Sequence, residues 1–270
     1  MQTKRKLSCS IQESSDIPFN DQLRMIKDAG FEGFFVMYSK DEPVAELADE
    51  AAKLGMDFET IHAPFGGVND LWDDNTNSED YYKFLLTRID MCSALSVPIC
   101  IMHVTVGNEA PPVGETGLNR FRRMCDYARG KNVRLAFENL EIPGHLDAVL
   151  SDITEYHGFC WDIGHNHCYT PDIDMMSRYS DRLICTHIHD NYGVTGETIT
   201  YHDDLHLLPF DGDIDWAAEC SKIKASPFTG SLMLEIDKIK AKDPRYADIT
   251  MQEYLSCAYQ RALKLAELCK

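Results

Sequence analysis

A single (β/α)8 barrel of the α/β class, one domain over residues 1–270, is the fold that this sequence predicts. Eight short β-rich runs, helical stretches alternating with them, and a length that suits eight such units carry the expectation. Alternation of the two periods calls for parallel strands joined by right-handed crossovers, and eight units suffice to close the sheet on itself. An open doubly wound sheet is the alternative, but no GxGxxG or Walker A pattern follows any of the runs.

KLSCSI (6–11) opens the series and is followed by PFNDQLRMIKDAG (18–30), which has helical spacing and ends on a glycine. GFFVMY (33–38) precedes EPVAELADEAAKLG (42–55), with Pro43 near its start and Gly55 at its end. DFETIH (57–62) leads to the helix SEDYYKFLLTRIDMCSAL (78–95), and PICIMHV (98–104) leads to GLNRFRRMCDYARG (117–130). RLAFENL (134–140) is followed by GHLDAVLSDI (144–153), and GFCWDIG (158–164) by DIDMMSRYSD (172–181). LICTHIHD (183–190) with DWAAECSKIKA (215–225), and SLMLEID (231–237) with TMQEYLSCAYQRALKLAELC (250–269), complete the set. The stripe of the last helix reads as core or subunit contact. The longest connections without helical spacing, at 63–77, 105–116 and 190–214, each follow a strand, on the side where barrels build active sites.

The charge balance narrows the partners. Lys and Arg number 26 against 44 Asp and Glu, a net charge of -18, and the only basic run is KRK at 4–6. Such a field repels phosphate backbones and anionic lipid, so neither nucleic acid nor a membrane is an expected partner. The first residues lack the apolar core of a secretory signal, and no stretch approaches a membrane span, which together predict a cytoplasmic protein. Ten scattered cysteines without a CxxC pair read as reduced thiols.

The chemistry lies at the strand ends. In CTHIHDNYG (185–193) two histidines stand two places apart, so His187 and His189 face the same way. From the third strand onward the polar residue at the C-terminal end is His62, His103, Glu138, Asp162, His187 and Glu235. Carboxylates brought together in a poorly hydrated site cost several kcal/mol unless a cation offsets them or some are protonated, and a divalent metal is the simplest compensator. Imidazole mixed with carboxylate suits Zn, Mn, Fe, Co or Ni better than Ca. His165, and Asp204 and His206 in DDLHLLPFDGD, extend the set on what read as loops.

ENLE, WDIGHNH, THIHDN, DDLHLLPFDGDIDW and LMLEID, in that order, resemble the xylose-isomerase-like barrel superfamily over roughly residues 6–240. That superfamily holds sugar isomerases and epimerases, inosose dehydratases and the endonuclease IV group. The resemblance to its ketose epimerases implies one divalent metal, Zn or Mn, held by Glu138, Asp162, His187 or His189, and Glu235, with Glu138 and Glu235 also moving the proton. His187 is preferred because it stands three before Asp190. The resemblance to endonuclease IV implies up to three ions: one on His62, His103 and Glu138, one on Glu138, Asp162, His187 and Glu235, and one on His165, Asp204 and His206. The basic, glycine-rich DNA-gripping loops of that group are absent, with FDGD at 210–213 in the place of one. The epimerases' arginine past the strand-seven histidine is also absent, since NYGVTG occupies its place.

A divalent-metal-dependent sugar or sugar-phosphate isomerase or epimerase is therefore the leading expectation, with two carboxylates flanking a metal-stabilised enediolate. A multi-zinc hydrolase or phosphoesterase, an inosose dehydratase-like lyase and a non-catalytic sugar-binding barrel are the alternatives. Substrate contacts are expected from His165, His189, Glu141 and Trp72, the last as a stacking platform on the 63–77 connection or as packing for its own loop. Lys238 and Lys240 read as phosphate contacts or plain surface lysines. A homodimer is expected only from the habit of such barrels to pair.

Overall fold

The computed structural model describes residues 5–37 and 43–270; Lys4 of the basic run, Tyr38 of the second predicted strand and Glu42 of the second predicted helix lie outside them. In chain order the elements are β1 (Leu7–Ser10), α1 (Phe19–Ala29), β2 (Gly33–Met37), α2 (Val44–Leu54), β3 (Asp57–His62), α3 (Ser78–Ala94), β4 (Ile99–Met102), α4 (Glu115–Gly130) and β5 (Arg134–Glu138). There follow α5 (Pro143–Asp152), β6 (Gly158–Asp162), α6 (Ile163–Tyr169), α7 (Met175–Tyr179), β7 (Leu183–His187), α8 (Trp216–Ala225), β8 (Leu232–Leu234), α9 (Pro244–Ala247) and α10 (Met251–Leu268). Hydrogen bonds link the strands in the order β7-β6-β5-β4-β3-β2-β1-β8.

Contacts divide the chain into two compact units. The first comprises Met1–Val36, Pro43–Phe58 and Trp161–Lys270. In it β1 pairs in parallel with β2 (Ser8 opposite Gly33) and with β8 (Leu7 opposite Leu232). Just past β7, Ile188 donates its amide to Met233 O at 2.8 Å and accepts from the Glu235 amide at 3.0 Å. That joins the two ends of the strand order, which an open sheet would leave unpaired. Helix α1 packs on α2 and α10, and α10 on α8 and β8. Several helix ends are capped as their sequences require. Asp215 accepts from the Ala217 and Ala218 amides at the start of α8, and Thr250 with Glu253 forms a capping box on α10.

The second unit comprises Met37–Glu42 and Glu59–Cys160. Here β3, β4, β5 and β6 pair in parallel, with His62 opposite Ile101, Met102 opposite Phe137 and Glu138 opposite Cys160. Strands β4 and β5 are almost wholly buried, which explains their continuous apolar runs: helices cover parallel sheets, leaving no solvated face to alternate toward. Helix α4 packs between α3 and α5.

Three expectations about the elements need correction. The run at 158–164 does not stay extended to its end; β6 stops at Asp162 and α6 begins at once, because the Asp162 carboxylate caps it by accepting from the His165 amide at 2.6 Å. His165 therefore sits on a helix, not a loop. The predicted helix at 172–181 shortens to the single turn of α7, and the 63–77 connection contains a 3-10 helix at Val68–Trp72. No described helix is long and apolar enough to cross a membrane.

Candidate metal centre

In the second unit the ends of three neighbouring strands carry His62, His103 and Glu138. Glu138 Oε2 lies 3.0 Å from His62 Nε2 and 3.5 Å from His103 Nε2, and all three side chains are buried. Phe65 stacks on the His103 ring at 4.2 Å and meets His62 edge-on, which fixes both imidazoles. The tautomer of His62 follows from its neighbours. Its Nδ1 is 2.8 Å from the Ala63 carbonyl oxygen, which can only accept, so Nδ1 carries the proton. A neutral His62 then turns the Nε2 lone pair toward a carboxylate oxygen 3.0 Å away. Two acceptors at that distance require a second proton or a cation between them.

In the first unit, Asp162 ends β6, His187 ends β7 and Glu235 follows β8 by one residue. His187 Nδ1 lies 3.1 Å from Glu235 Oε2 and 3.8 Å from Asp162 Oδ2. Phe35 stacks on the His187 ring at 4.9 Å. Asp162 and His187 have no solvent-accessible surface, while the Glu235 side chain is 15% exposed, making it the member of this trio that a small molecule reaches.

Beside that trio, and still within the first unit, His165, His189, Asp204 and His206 hold ligand-type atoms within 4.8 Å of one another. Asp204 Oδ2 is 2.9 Å from His206 Nε2 and 3.6 Å from His165 Nε2, and Asp204 Oδ1 is 3.5 Å from His189 Nε2. The His189 and His206 rings stack at 4.1 Å. His206 repeats the logic of His62: its Nδ1 faces the Glu235 carbonyl oxygen at 2.9 Å, so Nε2 points a lone pair at Asp204. Burial alone would push the His189 imidazole down, but the Asp162 and Asp204 carboxylates outweigh it and its pKa is raised. For Asp204, burial is outweighed by His206, His165, Lys240 and His189, which hold its carboxyl well below the usual range. Burial dominates at His206 and lowers its pKa despite Asp204.

The donor chemistry of each group fits a divalent cation: imidazole nitrogens and carboxylate oxygens converge within ligand reach of one another. All nine residues expected as metal donors fall into these three groups, with His189 joining His165, Asp204 and His206. As an expected substrate contact His189 is wholly buried, packed so closely on Gly164 that an added Cβ there would stand 1.9 Å from its ring. Trp72 is corrected too. It is buried, its indole donates to Val104 O at 2.6 Å, and its ring lies against Phe121 and His145, so it packs its own connection instead of offering a face to a sugar. Glu141 keeps one carboxylate oxygen shielded from solvent without a hydrogen bond.

The roles of two residues that the sequence singles out, Lys240 and Asp190, escaped sequence reasoning. Lys240 places its ammonium 2.8 Å from Asp204 Oδ2, a contact that a lysine in a surface-like run does not announce. Asp190, the aspartate that follows the two histidines, is a buried hub. It accepts from the amides of Asn191, Phe210 and Ile214 and from the Trp216 indole. The pattern HIHD followed by DGDIDW was its only trace.

Parallel strands alternating with helices, with imidazole and carboxylate side chains at their C-terminal ends, define a (β/α)8 barrel. The chain belongs to the xylose isomerase-like TIM barrel family, whose model matches residues 17–254. It is 30% identical over 261 residues to the uncharacterized protein y4fM of Sinorhizobium fredii, covering 91% of this chain and 77% of that protein. Among solved structures it is similar to a xylose isomerase-like TIM barrel/4-hydroxyphenylpyruvate dioxygenase fusion protein (TM-score 0.80, 16% identity, 99% of this chain). The chain spans 44% of the length of that fusion protein. It is similar as well to D-allulose 3-epimerase from Methylomonas sp. (TM-score 0.75, 14% identity, 99% and 98% coverage). IolI, solved with a bound zinc atom, is a further likeness (TM-score 0.70, 16% identity, 98% of each chain). At such identities the structural likenesses establish the fold alone.

Proposed function

We propose that this chain is a divalent-metal-dependent isomerase or epimerase of a small sugar or sugar phosphate. The observation that carries the reading is the buried trio in which His187 Nδ1 stands 3.1 Å from Glu235 and 3.8 Å from Asp162. Similarity to sugar epimerases supports the substrate class, and the similarity to zinc-bound IolI supports a metal. Glu138 is the proposed fourth ligand, as the resemblance to the ketose epimerases implies. The other donors, His62, His103, His165, Asp204 and His206, leave room for one to three ions, Zn or Mn.

A divalent ion bound there would offset the carboxylate charge and stabilise negative charge developing on the oxygens of a hydroxy-carbonyl compound. The remaining work falls to the side chains. Glu235, the least buried member of its trio, takes the proton from the carbon next to the carbonyl, and Glu138 serves as its partner acid. Asp162 and His187 hold position, one tied to the start of α6 and the other clamped by Phe35. His165 and Glu141 are the proposed contacts for substrate hydroxyls. With a charge of -18, a small sugar bearing at most one phosphate is favoured over a polyanion, which supports a reading without nucleic acid or membrane as partner.

The test is solvent-deuterium wash-in on a panel of ketoses and aldoses with metal-loaded protein. The wild type should incorporate deuterium at one carbon, and Glu235→Gln or Glu138→Gln should slow that by roughly 10²–10⁴-fold. Unchanged exchange in both variants would overturn the two-base assignment. A second reading, a multi-zinc hydrolase, draws on there being more than one donor group. Three ions per chain by elemental analysis, together with phosphodiester turnover and no deuterium wash-in, would replace the isomerase reading with it.

A further inference from the structure

Arg5, from the basic run at 4–6, precedes β1, and residues 226–229 precede β8, so both stand at the opposite end of those strands from Glu235. They border a cavity of about 410 Å³ that the end of α10 closes, with Lys224, Phe228, Cys269 and Lys270 in its wall. We propose that Cys269 and Cys220 form a redox-modification site: hydrogen peroxide entering this cavity oxidises Cys269, and Cys220 then closes a reversible disulfide that ties α10 to α8.

Two thiols from distant parts of the chain meet here on one carbonyl. The Cys269 amide donates to Leu265 O at 2.9 Å, and Cys220 Sγ, on α8, lies 3.7 Å from the same oxygen. The Cys220 S–H thus has two acceptors within reach, that oxygen and the Cys269 sulfur, to which it also hydrogen-bonds. Their environments push the two thiols apart. The bond from Cys220 holds the Cys269 thiol below its ordinary pKa; burial opposes it, and the Arg5 guanidinium adds to it. At Cys220 the same bond and then burial act together to raise the pKa. Cys269 is therefore the nucleophile, and Cys220 keeps its proton until the second step. Arg5 is held in place, its guanidinium over the Phe228 ring at 5.5 Å and donating to Gly230 O at 3.4 Å. Lys224 and Lys270 add positive charge to the same wall against one carboxylate, Glu267, which Lys270 pairs with.

A second thiol pair in the chain provides the contrast. Cys92 on α3 and Cys100 on β4 also hydrogen-bond, but there burial is the leading cause and pushes the Cys92 thiol well up. Neither lines the cavity. Proximity alone therefore does not separate the pairs; thiolate character and access do. In the proposed reaction the Cys269 thiolate attacks one peroxide oxygen, the O–O bond breaks, and the departing hydroxide takes a proton to leave as water. The resulting sulfenic acid loses its hydroxyl to the Cys220 proton as a second water while the Cys220 sulfur bonds to the Cys269 sulfur. Two thiols give up two electrons and one peroxide becomes two waters. A dithiol reductant reverses the step by thiol–disulfide exchange.

The test is peptide mass mapping of the full chain after a brief exposure to hydrogen peroxide, with remaining thiols alkylated in denaturant. A peptide pair linked through Cys220 and Cys269 is expected, vanishing on treatment with dithiothreitol, with Cys92 and Cys100 linking at least about tenfold more slowly. Arg5→Met, which keeps the stem and removes the charge, should slow the 220–269 linkage by about threefold or more. In Cys220→Ser the sulfenic acid should persist on Cys269, where dimedone traps it. Should that variant fail to fold, the wild-type linkage and its dependence on Arg5 still decide the matter. Oxidised wild type without the 220–269 linkage, linkage of Cys92 to Cys100 at an equal rate, or a rate indifferent to Arg5→Met overturns the proposal. So does a dimedone adduct that forms on Cys220 in Cys269→Ser and not on Cys269 in Cys220→Ser.

Discussion

At the scale of single residues, the donors were legible because they had no structural excuse. A carboxylate closing an apolar strand must be neutralised and a buried imidazole hydrogen-bonded, and six such residues in succession single out the strand ends. What stayed hidden was their partition. His187 and His189 share a face by strand geometry and both reach Asp162, yet His187 goes on to meet Glu235 while His189 reaches Asp204 and stacks on His206. That choice depends on the path of a connection fifteen residues further on, which local periodicity does not encode. Gly164 is the residue that makes it feasible, and it yields a prediction. In Gly164→Ala the new Cβ would overlap the His189 ring, and overpacking should destabilise the protein by roughly 1–3 kcal/mol. Gly144, in the first turn of α5 with nothing within 4 Å of its would-be Cβ, provides the control. There alanine should be neutral or stabilise by up to about 1 kcal/mol. Urea denaturation of both variants checks the contrast, and equal midpoints would show that the His189 packing is slack.

At the scale of elements, the connection of residues 190–214 is the part most in need of explanation, since it is long, polar and carries two proposed ligands. Asp190 gives it form. Its own amide and carbonyl pair with Leu207 in an antiparallel bridge, and its carboxylate gathers three further amides and the Trp216 indole. Asp190→Ala should strand those buried donors and cost about 3 kcal/mol or more, with new protease cleavage confined to 190–214. Trp216→Phe, which loses one donor and keeps the ring, should cost only about 1 kcal/mol beyond any packing loss. If Asp190→Ala melts and resists protease as the wild type does, the loop is held by something else. The alternation of strands and helices was readable because apolar period and boundary residues agree. The α6 start was misread for a physical reason: Trp161 and Ile163 continue the apolar run across Asp162, so the pattern alone favours strand. Only the capping bond from the His165 amide turns the chain there. Trp72 allowed two readings, stacking platform or loop packing, because position in a long connection does not distinguish them; Phe121 and His145 around it do.

At the scale of the whole molecule, the excess of acidic over basic residues and the buried donor groups meet in one quantity, the dependence of stability on bound cations. A chain with a formal charge of -18 already opposes its own compaction, and ionised carboxylates inside the fold add to that cost wherever no cation or proton lies between acceptors. Any ion that binds the native state and not the unfolded chain stabilises it by mass action, about 2.7 kcal/mol at a free concentration one hundred times the dissociation constant. For a chain of this size each kcal/mol moves the midpoint by roughly 2–4 °C. Dialysis against a chelator should therefore lower the thermal midpoint by about 5 °C or more, and stoichiometric Zn²⁺ or Mn²⁺ should restore it while Mg²⁺, which prefers all-oxygen ligands, restores less. Sodium chloride at the same ionic strength should not substitute, because screening relieves surface repulsion but does not reach buried oxygens such as those of Asp162. Scanning calorimetry of untreated, chelated, reloaded and salt-matched samples reads all four states. A midpoint that ignores the chelator, or that salt alone recovers, would mean the carboxylates are neutralised by protons and lysine, and that the donor groups at the strand ends are not metal centres.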